Sequence, residues 1–345
     1  MSGRRQHFVP QFLQRGFASR RKGGASKCWV YMPDKAPFEC STRNIGVSRD
    51  FYSGPDDTAV DDLISDAEAN MYSGIVKTLR EAEDPSGIAP EEVYSLLAHF
   101  QTRSKNLRSS LSYVSHLMMK KLLTDFSDIN HLREQTYQLL LKEPERVLSK
   151  LELPNHQFDP ASQELIIAGL RTNIRNGNLD DMVYQLASFL KTKIPETQSM
   201  MEKGAALGQQ KALSLGAAPT AIFKKLEMLD FSIERYLNLP LGDSMIVYEI
   251  AGTKKPSHRT FIYNKDEVRM VMLPISSTQA LVGLANNVQF RADRMKRAVM
   301  ECSSEFFIAS ELVEEYENGA KLIGSKLNIV GDEEFKNTLD SISVI

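Results

Sequence analysis

The sequence predicts an α+β protein, and three observations carry that prediction. Strand-forming residues cluster before residue 50, apolar residues recur at helical spacing through the middle, and they alternate at strand spacing after Leu237. Strands, then helices, then strands and a closing helix do not make a regular βαβ alternation, which argues for α+β over a parallel sheet. The expected layout is an N-terminal short helix and β-hairpin, a large central helical region, and C-terminal antiparallel strands with a following helix. These regions are 1–55, 56–237 and 238–345, expected to join in one integrated globular unit.

Length and composition allow such a core. The 345 residues are 42% hydrophobic and 25% charged, ordinary for a chain that folds around a sizeable apolar interior. No stretch approaches the ~18 apolar residues of a membrane span, and the N-terminus lacks the apolar centre of a secretory signal. A cytoplasmic protein with no membrane partner is expected. Cys28, Cys40 and Cys302 show no metal-ligand spacing, and reduced thiols are expected, although Cys28 and Cys40 can face each other across a hairpin.

The elements follow in order. In "QHFVPQFLQRGFA", Pro10 forces Val9 into extended backbone and starts a short helix over 11–17, with Gly16 near its end. "KCWVYMP" and "PFECSTRNIGV" read as paired strands joined by a turn at "MPDK". Gly23-Gly24 reads as a joint before this hairpin and Gly54-Pro55 as a breaker after it. Val60, Leu63, Ile64, Ala67, Met71, Val76 and Leu79 form the buried stripe of a helix, which "DPSGIAPEE" ends. Pro90 opens a second, long helix whose seam runs through Val93, Leu96, Leu97, Phe100, Leu107, Leu111, Val114 and Met118. Further helices are expected over 128–149, 160–176, 179–193 and 218–237, with a loop at 204–217. "SMIVYEIAG", "HRTFIYNKDEVRMVMLPIS" and "QALVGLA" read as strands, with a hairpin turn at 264–266. A basic helix over about 287–301 and "EFFIAS" precede an acidic tail.

Familiar catalytic signatures are missing: the chain has no GxGxxG, no Walker-type loop, no HExxH and no GxSxG. Chemistry has to be sought in three other places. His7, Gln11 and Arg15 sit on one corner anchored by Phe12, Leu13 and Phe17, a set suited to binding and proton transfer at a phosphate. The plainer reading is a capping histidine with two surface polar residues. Arg103 falls on an apolar seam, so it should be paired or face a cleft, and Glu68 is its natural partner. His99 adjoins that seam among apolar neighbours. Gly242-Asp243 precedes a strand, a place suited to a catalytic or metal-binding acid and equally to an ordinary turn. Charge is uneven: seven Lys/Arg and no acid lie in 1–27, and ten acids against three lysines in 301–345. Such asymmetry fits a phosphate-facing entrance, or two ends that neutralise each other.

Together these stretches resemble a known group. "QHFVPQFLQRGFA" is similar to the "HYVPxFYLRxF" opening of the domain-of-unknown-function 4238 family of prokaryotic proteins. "STRNIGVSRDFYS", "SDAEANMYSGIVKTL" and "LAHFQTRSKNLR" resemble its next segments, the last being similar to "FIAxQxxRTPxxR". "LGDSMIVYE" resembles its "SDxPV" strand, "VMLPISSTQALVG" its "PLSPxxxL" strand, and "ANNVQFRADR" its late helix. The match runs from about residue 6 to 310, and a proline of the family pattern is lost at Lys105 and at Met245. The resemblance carries no established activity. It implies that His7, Gln11, Arg15, Tyr52, Glu68, Gln101, Arg103 and Asp243 recur at matching positions and converge on one cleft.

The first expectation is a nuclease acting in prokaryotic defence or phage conflict. His7 serves as acid or base, Glu68 or Asp243 orients it or binds magnesium or manganese, and Arg15 and Arg103 hold the phosphate. Gln11, Tyr52 and Gln101 complete the substrate contacts. Arg20, Arg21, Lys22, Arg291, Arg294 and Arg297 would guide a nucleic-acid backbone. Because histidine titrates near neutrality, an activity resting on His7 is expected to peak there. The alternative is a non-enzymatic module that senses a nucleotide or small anion and signals to a partner. The sequence leaves the oligomeric state open.

Overall fold

The computed structural model describes residues 5–22, 25–52, 59–125, 127–143, 159–214, 220–252, 256–262 and 266–326. Contacts gather the chain into two compact units, Met1–Leu111 with Gly204–Val330 and Ser112–Lys203 with Gly331–Ile345. Parts of all three sequence regions share the first unit, and the second is drawn mainly from the central one.

The first unit starts with β1 (Arg5–His7), which pairs antiparallel with β5 (Val47–Arg49), placing His7 opposite Val47. Between them lie α1 (Gln11–Gln14), a tight turn Arg15–Phe17, and strands β2 (Arg20–Lys22), β3 (Ala25–Met32) and β4 (Lys35–Ser41). The β3–β4 hairpin forms as expected, and Cys28 stands opposite Cys40 with no disulfide between them. Strand β12 (Phe307–Ala309) pairs with β3 and with β7 (Leu241–Gly242), so residues from the two ends of the chain share one sheet. A second antiparallel sheet has the order β6 (Asp230–Arg235), β11 (Gln279–Leu284), β10 (Val268–Ser276), β8 (Val247–Ile250), β9 (Ser257–Arg259).

Helices α2 (Ala59–Ala67), α3 (Ser73–Glu81) and α4 (Pro90–Arg103) bury Ile64, Val76, Leu79, Leu96, Leu97 and Phe100 in the same core as Phe8, Leu13 and Phe17. Helix α10 is Ala292–Cys302, and Met295, Ala298 and Val299 pack it on the second sheet beside Met272 and Val282.

Four expectations are corrected. The long helix from Pro90 is two helices, because Ser104 (φ −62°, ψ 140°) leaves helical geometry between α4 and α5 (Lys105–Asp125). The side chains of Leu111, Val114 and Met118 lie outside the described residues. The segment expected as a helix over 218–237 splits into α9 (Thr220–Leu226) and strand β6, where pairing of Ile233 with Leu281 overrides helical propensity. Residues 204–214 are helical, closing a helix Asp180–Ser214, and 215–217 fall outside the described residues. Gln209 anchors that end by donating to Thr102 O at 2.7 Å. Finally, 264–266 does not join a hairpin: β9 and β10 flank β8 on opposite edges, and the tight connection is Ser277-Thr278 between β10 and β11. Residues 23–24, 54–55, 264–265 and the tail beyond 326 lie outside the described residues.

The described residues of the second unit are mainly helical. Helices α6 (Ile129–Lys142) and α7 (Pro160–Arg175) pack together; Asp159 caps α7 by accepting from Ala161 N and Ser162 N at 3.0 and 3.1 Å, with Pro160 in its first turn. With the helix Asp180–Ser214 numbered α8, Arg133 on α6 pairs with Asp180 at its start.

Candidate functional site

The N-terminal corner is built by backbone before any side chain acts. Gly46, at φ +58°, brings its carbonyl to Phe8 N at 2.8 Å, and a Cβ there would meet Val9 Cβ at 2.7 Å. Buried Gln14 donates to Val9 O (2.7 Å) and Ile45 O (3.0 Å), tying the bend to the 45–46 turn. Pro10 (φ −61°, ψ 138°) precedes α1 as its fixed entry. Arg80, which sequence reading missed, donates to Phe12 O (3.1 Å), Leu13 O (2.9 Å) and Ile275 O (2.6 Å), pinning α1 to β10. Its guanidinium lies where a Cβ on Gly16 would stand, so Gly16 serves close approach as well as a helix end.

On this corner His7 is half-buried. Its Nδ1 lies 3.2 Å from Ile45 O, a carbonyl that can only accept, so Nδ1 carries the proton. Nε2 is then the lone-pair nitrogen, and it receives Gln11 Nε2–H at 3.1 Å. Burial, together with the Arg103 charge, pushes the His7 pKa down to about 4. The ring is therefore neutral at pH 7, and the titration expected near neutrality is displaced to acid pH.

Arg103 sits beneath. It is 3% exposed, pairs with Glu68, donates to His7 O from Nε at 3.0 Å, and lies 5.4 Å from the centre of the Tyr52 ring. Tyr52 in turn donates to Arg103 O at 3.0 Å, and its backbone N–H donates to buried Gln6 Oε1 at 2.5 Å. Burial pushes the Tyr52 hydroxyl up to about 12, against the opposing pull of Arg103. Glu68 opens a π-helical turn, Glu68–Tyr72, between α2 and α3, and such single wide turns are frequent at functional sites. Glu68 also lies 3.7 Å from His99 Nε2, and Tyr72 stacks on His99 at 4.3 Å. Desolvation holds the His99 pKa down to about 3. Gln101, 1% exposed, has both amide atoms without a hydrogen-bond partner among the described residues.

The structure thus brings His7, Gln11, Tyr52, Glu68 and Arg103 into one connected cluster, with Gln101 two residues before Arg103 on the same helix. It does not bring Asp243 into contact with them. Both Asp243 oxygens accept from the 304–305 turn: Ser304 N (2.6 Å), Ser304 Oγ (2.7 Å) and Glu305 N (2.8 Å). Burial outweighs these bonds and pushes its pKa up to about 6. Arg15 is exposed at the end of α1. Of the expected nucleic-acid guides, Arg20 pairs with Glu39, Arg291 with Asp293 and Arg297 with Glu301. The side chains of Arg21 and Lys22 lie outside the described residues. Asp61, a buried acid missed by sequence reading, acts electrostatically on both Tyr52 and Arg103. Among the described residues, no group of three or more His, Cys, Asp or Glu is arranged to hold a metal ion.

A family model described as a protein of unknown function matches residues 5–320, which takes in every residue of the cluster. No curated protein and no solved structure matches the chain.

Proposed function

Starting from the fact that the chain belongs to the family of proteins of unknown function DUF4238, we propose that it is a phosphodiester-cleaving enzyme, a nuclease of prokaryotic defence or phage conflict, whose catalytic centre is the His7 corner. The observation that carries this reading is the fixed tautomer of His7. Its Nδ1–H rests on Ile45 O, which leaves the Nε2 lone pair in a half-buried position to take a proton from an attacking hydroxyl. Gln11 already donates to that nitrogen, and in the reaction its amide would turn to the substrate. Arg15, exposed one turn further along, would meet the phosphate.

Arg103 and Glu68 take different parts from those first expected. A guanidinium 3% exposed and committed to Glu68 and His7 O positions the corner rather than grips a substrate. Glu68 is a partner of Arg103 and not of His7, and Asp243 serves the 304–305 turn. Magnesium or manganese dependence is therefore left to the assay.

Purified full-length protein incubated with labelled RNA and DNA, with magnesium, manganese or chelator, tests the reading. His7→Ala should lower cleavage by about a hundredfold or more. With His7 as base, the rate should fall as pH drops through about 4, because protonation there removes the lone pair. Cleavage that survives His7→Ala excludes it as the base. One observation favours a second reading: a histidine kept neutral down to about pH 4 is well suited to hydrogen-bonding a ligand. Tight binding of a nucleotide at this corner without cleavage would make the protein a sensor that signals to a partner.

A further inference from the structure

We propose that a cleft at the N-terminal end of α4 docks an extended segment of a partner protein, one that presents a basic side chain between apolar ones. The cleft encloses about 490 Å³, and Ile88, Val93, Tyr94, Leu229 and Phe231 supply its apolar walls. It lies at the opposite end of α4 from Arg103. Arg103 lies thirteen positions after Pro90 on that helix, roughly 20 Å at 1.5 Å per residue, so the cleft is a separate place from the His7 corner.

Three features select the occupant. Strand β6, which supplies Asp230 and Phe231 to the cleft, is the terminal strand of its sheet and pairs only with β11 among the described residues. Its other edge offers backbone donors and acceptors that an extended chain can match, with alternate side chains turned into the cleft. The short turn Pro85–Gly87 packs beside β6 and forms the facing wall. The rim is acidic: Asp84 and Asp230 line it, and exposed Glu91 and Glu227 both act on the Tyr94 hydroxyl. Among the described residues none of these four carboxylates is paired with a cation. Asp84 instead accepts from Ser86 N at 2.8 Å. An apolar groove with an unneutralised acidic rim favours a basic side chain and repels an acidic one, and the Tyr94 and Phe231 rings, 5.9 Å apart, add faces on which a cation can rest. Met228, 76% exposed beside Leu229, extends the apolar surface outward.

The test uses full-length protein and fluorescein-labelled peptides read by anisotropy. A peptide of alternating valine and arginine should bind, and one of alternating valine and glutamate should not. Replacing arginine by citrulline should weaken binding by about tenfold or more, which tests the charge without altering the protein. Asp84→Asn with Asp230→Asn should produce a similar loss, since asparagine keeps the acceptor for Ser86 but removes the charge. Backbone N-methylation of the peptide should also abolish binding, because it removes the donors that edge pairing needs. His7→Ala should leave all of this unchanged, so failure here and failure of the nuclease reading are separable. Equal binding of the arginine and glutamate peptides overturns the proposal, as does indifference to N-methylation. Spermine binding that depends on Asp84 and Asp230, with no peptide binding, would assign the cleft to a small cation instead. A concentration-dependent dimer lost in the double variant would assign it to a second copy of the chain.

Discussion

Arg103 and Asp243 are both buried ionisable groups of the same unit, 3% and 1% exposed, but the protein compensates them in opposite ways. Arg103 has a counter-charge, Glu68, together with the Tyr52 ring and the His7 carbonyl. Asp243 has no cation paired with it among the described residues; its charge is met by the N–H groups of Ser304 and Glu305 and the Ser304 hydroxyl. The first arrangement ties four separate segments together, at residues 7, 52, 68 and 103. The second ties β7 to one turn. A charge matched by a charge links distant parts of the chain but depends on both partners, whereas a charge matched by dipoles stays local.

Removing Arg103 should therefore have the largest effect. Arg103→Ala leaves half-buried Glu68 without its cation and His7 O without its donors, a loss on the order of 3 kcal/mol. Urea denaturation measures it. The paired replacement Glu68→Leu with Arg103→Met should recover much of that loss, since neither charge is then left alone. An unchanged midpoint in Arg103→Ala would show that the pair does not hold the corner. Asp243→Ala should cost less, about 1–3 kcal/mol, because what it strands are neutral donors.

The same contrast sets the response to acid. His7 and His99 have folded pKa values near 4 and 3, below the ordinary 6.5, so their contribution is present above pH 6.5 and is lost as pH falls toward those values. Asp243 works in the other direction. Its folded pKa of about 6 lies above the ordinary 3.8, so its contribution is complete below pH 3.8 and lost as pH rises through 6. Between pH 4 and 6 each proton of difference is worth about 1.4 kcal/mol per pH unit. Stability should fall on acidification through this window, with Asp243 offsetting one histidine. Asp243→Asn should steepen the fall, and His99→Gln should make it shallower. Denaturation midpoints at several pH values decide the signs.

How far the sequence discloses this site depends on what holds each residue. Arg103 could be found because a charge on an apolar seam demands a partner, and Glu68 was the acid facing it. His7 and Gln11 could be found because Pro10 and the phenylalanines define a corner. Arg80 could not, because its partners are the carbonyls of Leu13, Phe12 and Ile275, 67, 68 and 195 residues away with no local signature, and Asp61 could not, because it acts on Arg103 in a different helix. The strand β6 was hidden for a related reason: its identity comes from pairing with β11, while its own residues fit a helix nearly as well. The two positions where the family pattern has proline also separate in the structure. Ser104, before Lys105, already has the extended backbone that precedes a proline (φ −62°, ψ 140°). Met245 has φ +62°, which a proline ring cannot adopt.

That difference gives the smallest expected effect. Lys105 occupies the first position of α5, where the backbone N–H has no partner within the helix and proline is well tolerated. Ser104 supplies the cap, its Oγ accepting from Leu107 N at 3.2 Å, and this bond survives a change at Lys105. Lys105→Pro removes an ion pair with Glu305 between side chains 33% and 47% exposed and the contact of the ammonium with the Phe8 ring at 5.7 Å, together worth roughly 1 kcal/mol. It also restricts the unfolded chain, worth about 0.4–1 kcal/mol in the opposite direction. The two terms nearly cancel, so the urea midpoint of Lys105→Pro should stay within the equivalent of about 1 kcal/mol of the parent protein. A loss of several kcal/mol would mean that α4 and α5 run on as one helix through Ser104, and that Arg103 is not held at a helix end beneath His7.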